Sequence, residues 1–78
     1  MRLALFVAEG CGLCHEALEI VPAVCGELGV TWEVISIDGD DALEASYRVA
    51  LPVVELDGER RFEFFVDERD LRAALTDA

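Results

Sequence analysis

The sequence predicts an α/β domain: a four-stranded mixed sheet flanked by helices, in the order β-α-β-α-β-β-α. Three observations predict it. An apolar run of strand length, Leu3 to Ala8, is followed by a long segment with helical apolar spacing and then by a β-branched segment. That is the pattern of two parallel strands joined by a right-handed helical crossover. An Asp57-Gly58 pair separates two further strand-like runs, the signal of a tight antiparallel hairpin. Asp67 then precedes Leu71, Ala74 and Leu75, a cap followed by one helical face.

Each element has its own local reason. The run "LALFVA" is continuously apolar, as in a strand buried on both faces. After the loop "EGCG", Ala17, Val21, Val24 and Leu28 recur at i, i+4, i+7 and i+11, so a helix is expected from Gly12 to Leu28, ended by Gly29. Pro22 lies inside it and bends it by releasing the Leu18 carbonyl. "TWEVISI", Thr31 to Ile37, reads as the second strand. Asp41 and Glu44 have the spacing of a capping box, so a short helix should run to Tyr47. "LPVVEL" is a third strand opened by Pro52, where a missing N–H does least harm. "RRFEFF" is its return strand. Trp32, Phe6, Phe62 and Phe64 are expected in core or edge-strand packing, and Tyr47 in helix-end packing. Arg60 and Arg61 place charge on a hairpin edge, which discourages edge-to-edge association.

Composition narrows the function. The 78 residues are expected to form one domain, 1–78, with 54% hydrophobic content against a formal charge of −11. Six arginines stand against seventeen acids, and there is no lysine. Such a field repels phosphate backbones and anionic lipid, so neither a nucleic acid nor a membrane is an expected partner. The first apolar run is shorter than the roughly 7–15 residues of a signal-peptide core. Three cysteines are an odd count for a secreted disulfide framework. A cytoplasmic location and a monomer are therefore expected.

The chemistry-bearing stretch is Cys11-Gly12-Leu13-Cys14-His15. Disulfide exchange needs one thiolate that attacks and a second thiol that resolves the mixed disulfide. Two cysteines three apart at a helix start bring their sulfurs together on one face. The helix N-terminus stabilises an anion there. His15, at i+4 from Cys11, adds positive charge when protonated, while the Glu9 carboxylate opposes the thiolate. The balance is a modest depression of the Cys11 pKa below the ordinary thiol value of about 8.5.

The redox C-x-x-C after the first strand, Pro52 opening the third, the hairpin and the last helix together resemble the thioredoxin fold in its minimal, glutaredoxin-like form. The likeness covers nearly the whole chain and is greatest to short bacterial glutaredoxin-like proteins. It implies thiol–disulfide oxidoreductase activity, with Cys11 as nucleophile and Cys14 as the resolving thiol. It implies that Gly12, Leu13, Leu51 and Pro52 face the substrate, and that the Leu51–Pro52 bond is cis, although X-Pro bonds are cis in only about 5–6% of cases. No cofactor or metal is expected beyond an external reductant. The partner would be a disulfide-bearing protein or a low-molecular-weight thiol. Glutathione is in doubt, because that family's lysine before the cysteines and its Gly-Gly-x-Asp turn are unmatched. Ala8-Glu9-Gly10 and Phe65-Val66-Asp67-Glu68 stand in those places.

Other chemistries fit the motif less well. C-x-x-C-H also spells c-type haem attachment, but the only methionine is Met1 and there is no second histidine to complete the axial pair. Zinc could draw on Cys11 and Cys14 with His15 or Cys25, but Cys25 lies about 16 Å along the same helix from Cys14. Cys25 reads instead as a small buried hydrophobe. An iron–sulfur cluster bridging two chains through Cys11, or a non-catalytic binding module on the same fold, are the alternatives to the enzyme reading.

Overall fold

The computed structural model describes residues 1–76. Its elements are β1 (Arg2–Val7), α1 (Gly12–Leu28), β2 (Thr31–Ser36), α2 (Asp41–Tyr47), a 3₁₀ turn over Arg48–Ala50, β3 (Val53–Leu56), β4 (Glu59–Glu63) and α3 (Glu68–Thr76). The strands form one sheet in the order β2-β1-β3-β4. β2 runs parallel to β1, with Arg2 opposite Thr31 and Val7 opposite Ser36. β3 runs antiparallel to β1, with Phe6 opposite Val53, and β4 returns antiparallel to β3. Among the described residues, no helix is long and apolar enough to cross a membrane.

Period-two alternation sends the side chains of β1 and β3 to two different cores. On one face, Leu3, Leu5, Val54 and Leu56 meet Ala17, Val21, Val24 and Cys25 of α1 and Leu71 and Leu75 of α3. On the other, Phe6 and Val53 gather with Ile37, Ala50, Leu51 and Cys14, flanked by Leu43 and Tyr47 of α2. β1 is thus apolar on both faces because both are covered. Cys25 is fully buried in the first core, as its hydrophobic reading requires. The Arg72 guanidinium ties α3 to α1 through Glu27 at 2.5 Å and also holds Glu68 on its own helix at 3.0 Å.

Several local readings change. The short helix is capped by Asp40, whose extended backbone lets Oδ1 accept from the Leu43 N–H at 3.0 Å. Asp41 is the first helical residue, and Glu44 reaches back to the Gly39 N–H rather than closing a box with Asp41. The return strand ends at Glu63, because Phe64 adopts φ 69° and turns the chain out of the sheet. Phe64 is therefore not a packed strand residue: it is 47% exposed. β2 stops at Ser36, and Pro52 stands just before β3 rather than within it. The hairpin has the expected two-residue turn, with Asp57 at φ 52° and Gly58 at φ 84°. Asp57 also clasps β1, since its Oδ1 accepts from the Arg2 N–H and its N–H donates to the Arg2 carbonyl, both at 2.9 Å.

A shift in register between Val54 and Glu55 leaves Arg61 as the extra residue of a β-bulge. Arg60 is not a free edge charge. Its guanidinium lies 4.8 Å from the Tyr47 ring centroid, donates to the Ser46 carbonyl and pairs with Glu63. The Tyr47 ring stacks on Phe6 with centroids 4.1 Å apart, and its hydroxyl donates to Glu55 at 2.5 Å. A helix of seven residues is too short to stand alone. These contacts to β1, β3 and β4 hold it on the sheet.

The Glu55 hydrogen bond, followed by burial, raises the Tyr47 pKa above its ordinary value. Burial likewise raises that of Cys25. Both groups favour the folded state while protonated. Their contribution is complete below the unfolded values and is lost as pH rises through the folded ones. Tyr47→Phe should lower stability by about 1 kcal/mol at pH 7. It should also flatten the loss of stability of the native protein above about pH 10, both read from urea melts between pH 7 and 11.

Candidate dithiol site

Sheet topology gathers the site. α1 starts beyond the C-terminal end of β1. Because β3 is antiparallel to β1 and Phe6 faces Val53, the residues before β3 lie at that same end. β4 reverses again with Glu63 opposite Val53, so the residues after β4 arrive there too. Cys11–Cys14, Leu51–Pro52 and Phe64–Asp67 thus converge from three separate parts of the chain. The Phe64 N–H fastens two of them, donating to the carbonyls of Ala50 at 3.0 Å and Pro52 at 3.1 Å. The Leu51–Pro52 peptide bond is cis.

The β1–α1 connection is a tight turn. Gly10 takes φ 78°, which glycine adopts without cost, and the Cys11 N–H donates to the Ala8 carbonyl at 3.4 Å. Cys11 is the N-cap of α1, with extended backbone, and its Sγ accepts from the Cys14 N–H at 3.2 Å. The two sulfurs are at bonding distance, with Cα atoms 5.4 Å apart, inside the usual disulfide range. The two cysteines are unequal. Cys11 is partly exposed, whereas Cys14 is only 2% exposed and lies in the core cluster with Leu51 and Val53. No acid occupies the first turn of α1 to cancel its dipole.

The remaining expected residues are nearby but differ in engagement. Gly12 and Leu13 are exposed between the cysteines, and Leu51 and Pro52 are buried. His15 is exposed and makes no ion pair among the described residues. Glu9 is exposed, and its backbone N–H donates to Asp38 Oδ2 at 2.8 Å. Cys25 sits in the other core, so it cannot join Cys11 and Cys14 as a metal ligand. Among the described residues no three His, Cys, Asp or Glu side chains converge to hold a metal ion.

The sequence reading placed Phe65–Glu68 only by its position in the family's pattern and missed Glu16 and Phe64 in the other wall of the site. A groove of about 240 Å³ is lined by Leu13 and Glu16 of α1 and by Phe64, Phe65, Val66 and Asp67. Phe65 is 69% exposed, and Val49, in the turn leading to Leu51, is 85% exposed. The signal for this wall was the double phenylalanine followed by a helix cap, which β-propensity disguised as strand.

A mixed four-stranded sheet, three helices and a Cys-x-x-Cys pair at disulfide distance define a small glutaredoxin-like protein of the thioredoxin superfamily. The chain belongs to the glutaredoxin-like domain family (DUF836), whose model matches residues 2–76. An uncharacterized protein of Mycobacterium tuberculosis is 34% identical, the match covering 95% of this chain and 81% of that one. A structural-genomics target protein from X. campestris has a TM-score of 0.78 at 32% identity, covering 97% of each chain. A thioredoxin from Fasciola hepatica has a TM-score of 0.69 at 28% identity, covering 97% of this chain and 78% of that one.

The unequal burial of the three cysteines has a direct readout. After reduction, native protein should react rapidly with a thiol reagent at Cys11, more slowly at Cys14, and at Cys25 only when denaturant is added. Mass spectrometry of the alkylated protein checks the order. Fast labelling of Cys25 in native protein would overturn its placement in the core.

Proposed function

We propose that the protein is a thiol–disulfide oxidoreductase in which Cys11 attacks and Cys14 resolves. The observation that carries this reading is the asymmetry of the pair. Cys11 is reachable and sits on the positive end of a seventeen-residue helix, with a backbone N–H directed at its sulfur. Cys14 is enclosed behind it.

In the reduced protein, the helix N-terminus and the Cys14 N–H both favour the Cys11 thiolate. Glu9 opposes it, but from an exposed position where water and salt weaken the effect. The thiolate attacks one sulfur of a substrate disulfide. A Cys11–substrate disulfide forms, and the other substrate sulfur leaves as a thiolate. Deprotonated Cys14 then attacks Cys11 Sγ, releasing the second substrate thiol and forming the Cys11–Cys14 disulfide. The substrate gains two electrons and two protons, and the protein loses them. An external dithiol, or two monothiols, reverses the oxidation.

Enclosure of Cys14 supports its role, since a substrate cannot easily reach it and it acts only on the bond at Cys11. Exposed Gly12 and Leu13 offer the surface beside Cys11 that a substrate segment would meet, while Leu51 and Pro52 are buried. The likeness to the Fasciola hepatica thioredoxin, at 28% identity, supports the same chemistry.

The test compares the native protein with Cys11→Ser and Cys14→Ser in a disulfide-reduction assay. Cys11→Ser should abolish turnover. Cys14→Ser should form a mixed disulfide with substrate at Cys11 that persists and is seen as an added mass. Full activity in Cys11→Ser, or a mixed disulfide found at Cys14 instead, would reject the assignment.

A further inference from the structure

The groove beside the dithiol has a composition that selects what binds in it. Leu13, Phe64, Phe65 and Val66 supply apolar surface, and Glu16 and Asp67 supply two carboxylates. Leu13 is the residue before Cys14, so an occupant of the groove lies next to the reacting sulfurs. The arginines do not balance this charge. Arg72 is held by Glu27 and Glu68, Arg48 by Asp38 and Glu44, Arg60 by Glu63, and Arg2 by Glu33. Arg61 sits in the bulge of β4, and Arg69 lies on α3 outside the groove lining. Glu16 and Asp67 make no ion pair among the described residues. Asp67 does cap α3, its Oδ1 accepting from the Asp70 N–H at 3.0 Å. The positive end of that helix is therefore already met by a carboxylate of the chain.

An apolar wall beside two carboxylates matches a side chain with an aliphatic stem and a cationic head. Lysine and arginine have that form. Glutathione, which carries two carboxylates and one ammonium, does not. Resting on the oxidoreductase reading above, we propose that this groove is a specificity subsite for a lysine or arginine flanking the reactive cysteine of a polypeptide disulfide. The protein then reduces basic polypeptide disulfides in preference to glutathione disulfide. The stem lies along Leu13 and Phe64, and the head meets Glu16 and Asp67. The chain's net charge of −11 steers such partners from a distance.

The experiment mixes pre-reduced protein with three disulfides in single-turnover reactions. Two are peptide dimers that differ only in having arginine or glutamate on both sides of the cysteine; the third is oxidised glutathione. Each rate is divided by that of dithiothreitol on the same disulfide, which removes the effect of the flanking charge on intrinsic reactivity. At low salt the arginine peptide should react at least about fivefold faster than the other two. Glu16→Gln and Asp67→Asn, the second of which retains a capping side chain, should each reduce that preference by half or more. Glu59→Gln, on the far hairpin, removes the same charge and should leave it intact. Phe64→Ser should slow the arginine peptide. Equal normalised rates for the two peptides, faster reduction of glutathione disulfide, or an equal loss in Glu59→Gln would each overturn the subsite while leaving the oxidoreductase reading in place. Failure to reduce any of the three would overturn both.

Discussion

The burial of one face of α1 against β1 is the constraint on which the rest of this small structure depends. Ala17, Val21, Val24 and Cys25 close over Leu3 and Leu5, with α3 completing the cover through Leu71 and Leu75. A chain of this length buries only about 60–65% of its unfolded surface, so one such interface makes up much of the available core. It also sets the direction of the helix. With α1 lying along β1, its N-terminus must emerge at the strand's C-terminal end, and Cys11 with it. The position of the dithiol is therefore a consequence of core packing.

Strand pairing adds the rest of that end. Two successive antiparallel reversals, from β1 to β3 and from β3 to β4, return the chain to the same edge of the sheet. Segments separated by some forty to fifty residues in sequence therefore share one surface. The second core, beneath that surface, joins Cys14 and Leu51 to Phe6, Ile37 and Val53. It encloses Cys14 while the N-cap position leaves Cys11 partly exposed. Tyr47, Arg60 and Glu55 form a polar strap over the same core, fixing α2 where its own length would not.

Charge is distributed with a bias that composition alone does not show. Among the described residues, Arg2, Arg48, Arg60 and Arg72 are engaged in ion pairs. Such exposed pairs contribute little to stability individually. Among the described residues, Glu9, Glu16 and Asp67 near the dithiol make no ion pair.

Much of this was legible in the sequence because local rules governed it. Helical spacing from Gly12 to Leu28, Gly29 as its end, the Asp57-Gly58 turn and the Asp67 cap each depend on residues within a few positions of one another. The dithiol pair was equally legible, since three-residue spacing at a helix start suffices to bring two sulfurs together. The readings that changed were those in which local signals competed. Aspartate is a favoured cap at either Asp40 or Asp41, and only the backbone path after Ile37 decides for Asp40. Phe64 has strong β-propensity, yet the exit from β4 forces it to a positive φ and into the open. Arg60 looked like a solvated edge charge until a bulge set it beneath Tyr47. The sequence by itself determined the elements, their order and the Cys11–Cys14 pair, because periodicity, caps and turns are short-range. Only the tertiary structure decided that Glu16 and the Phe64–Asp67 segment form a wall beside the cysteines, because antiparallel strand pairing alone brings residues so distant in the chain to one end of the sheet.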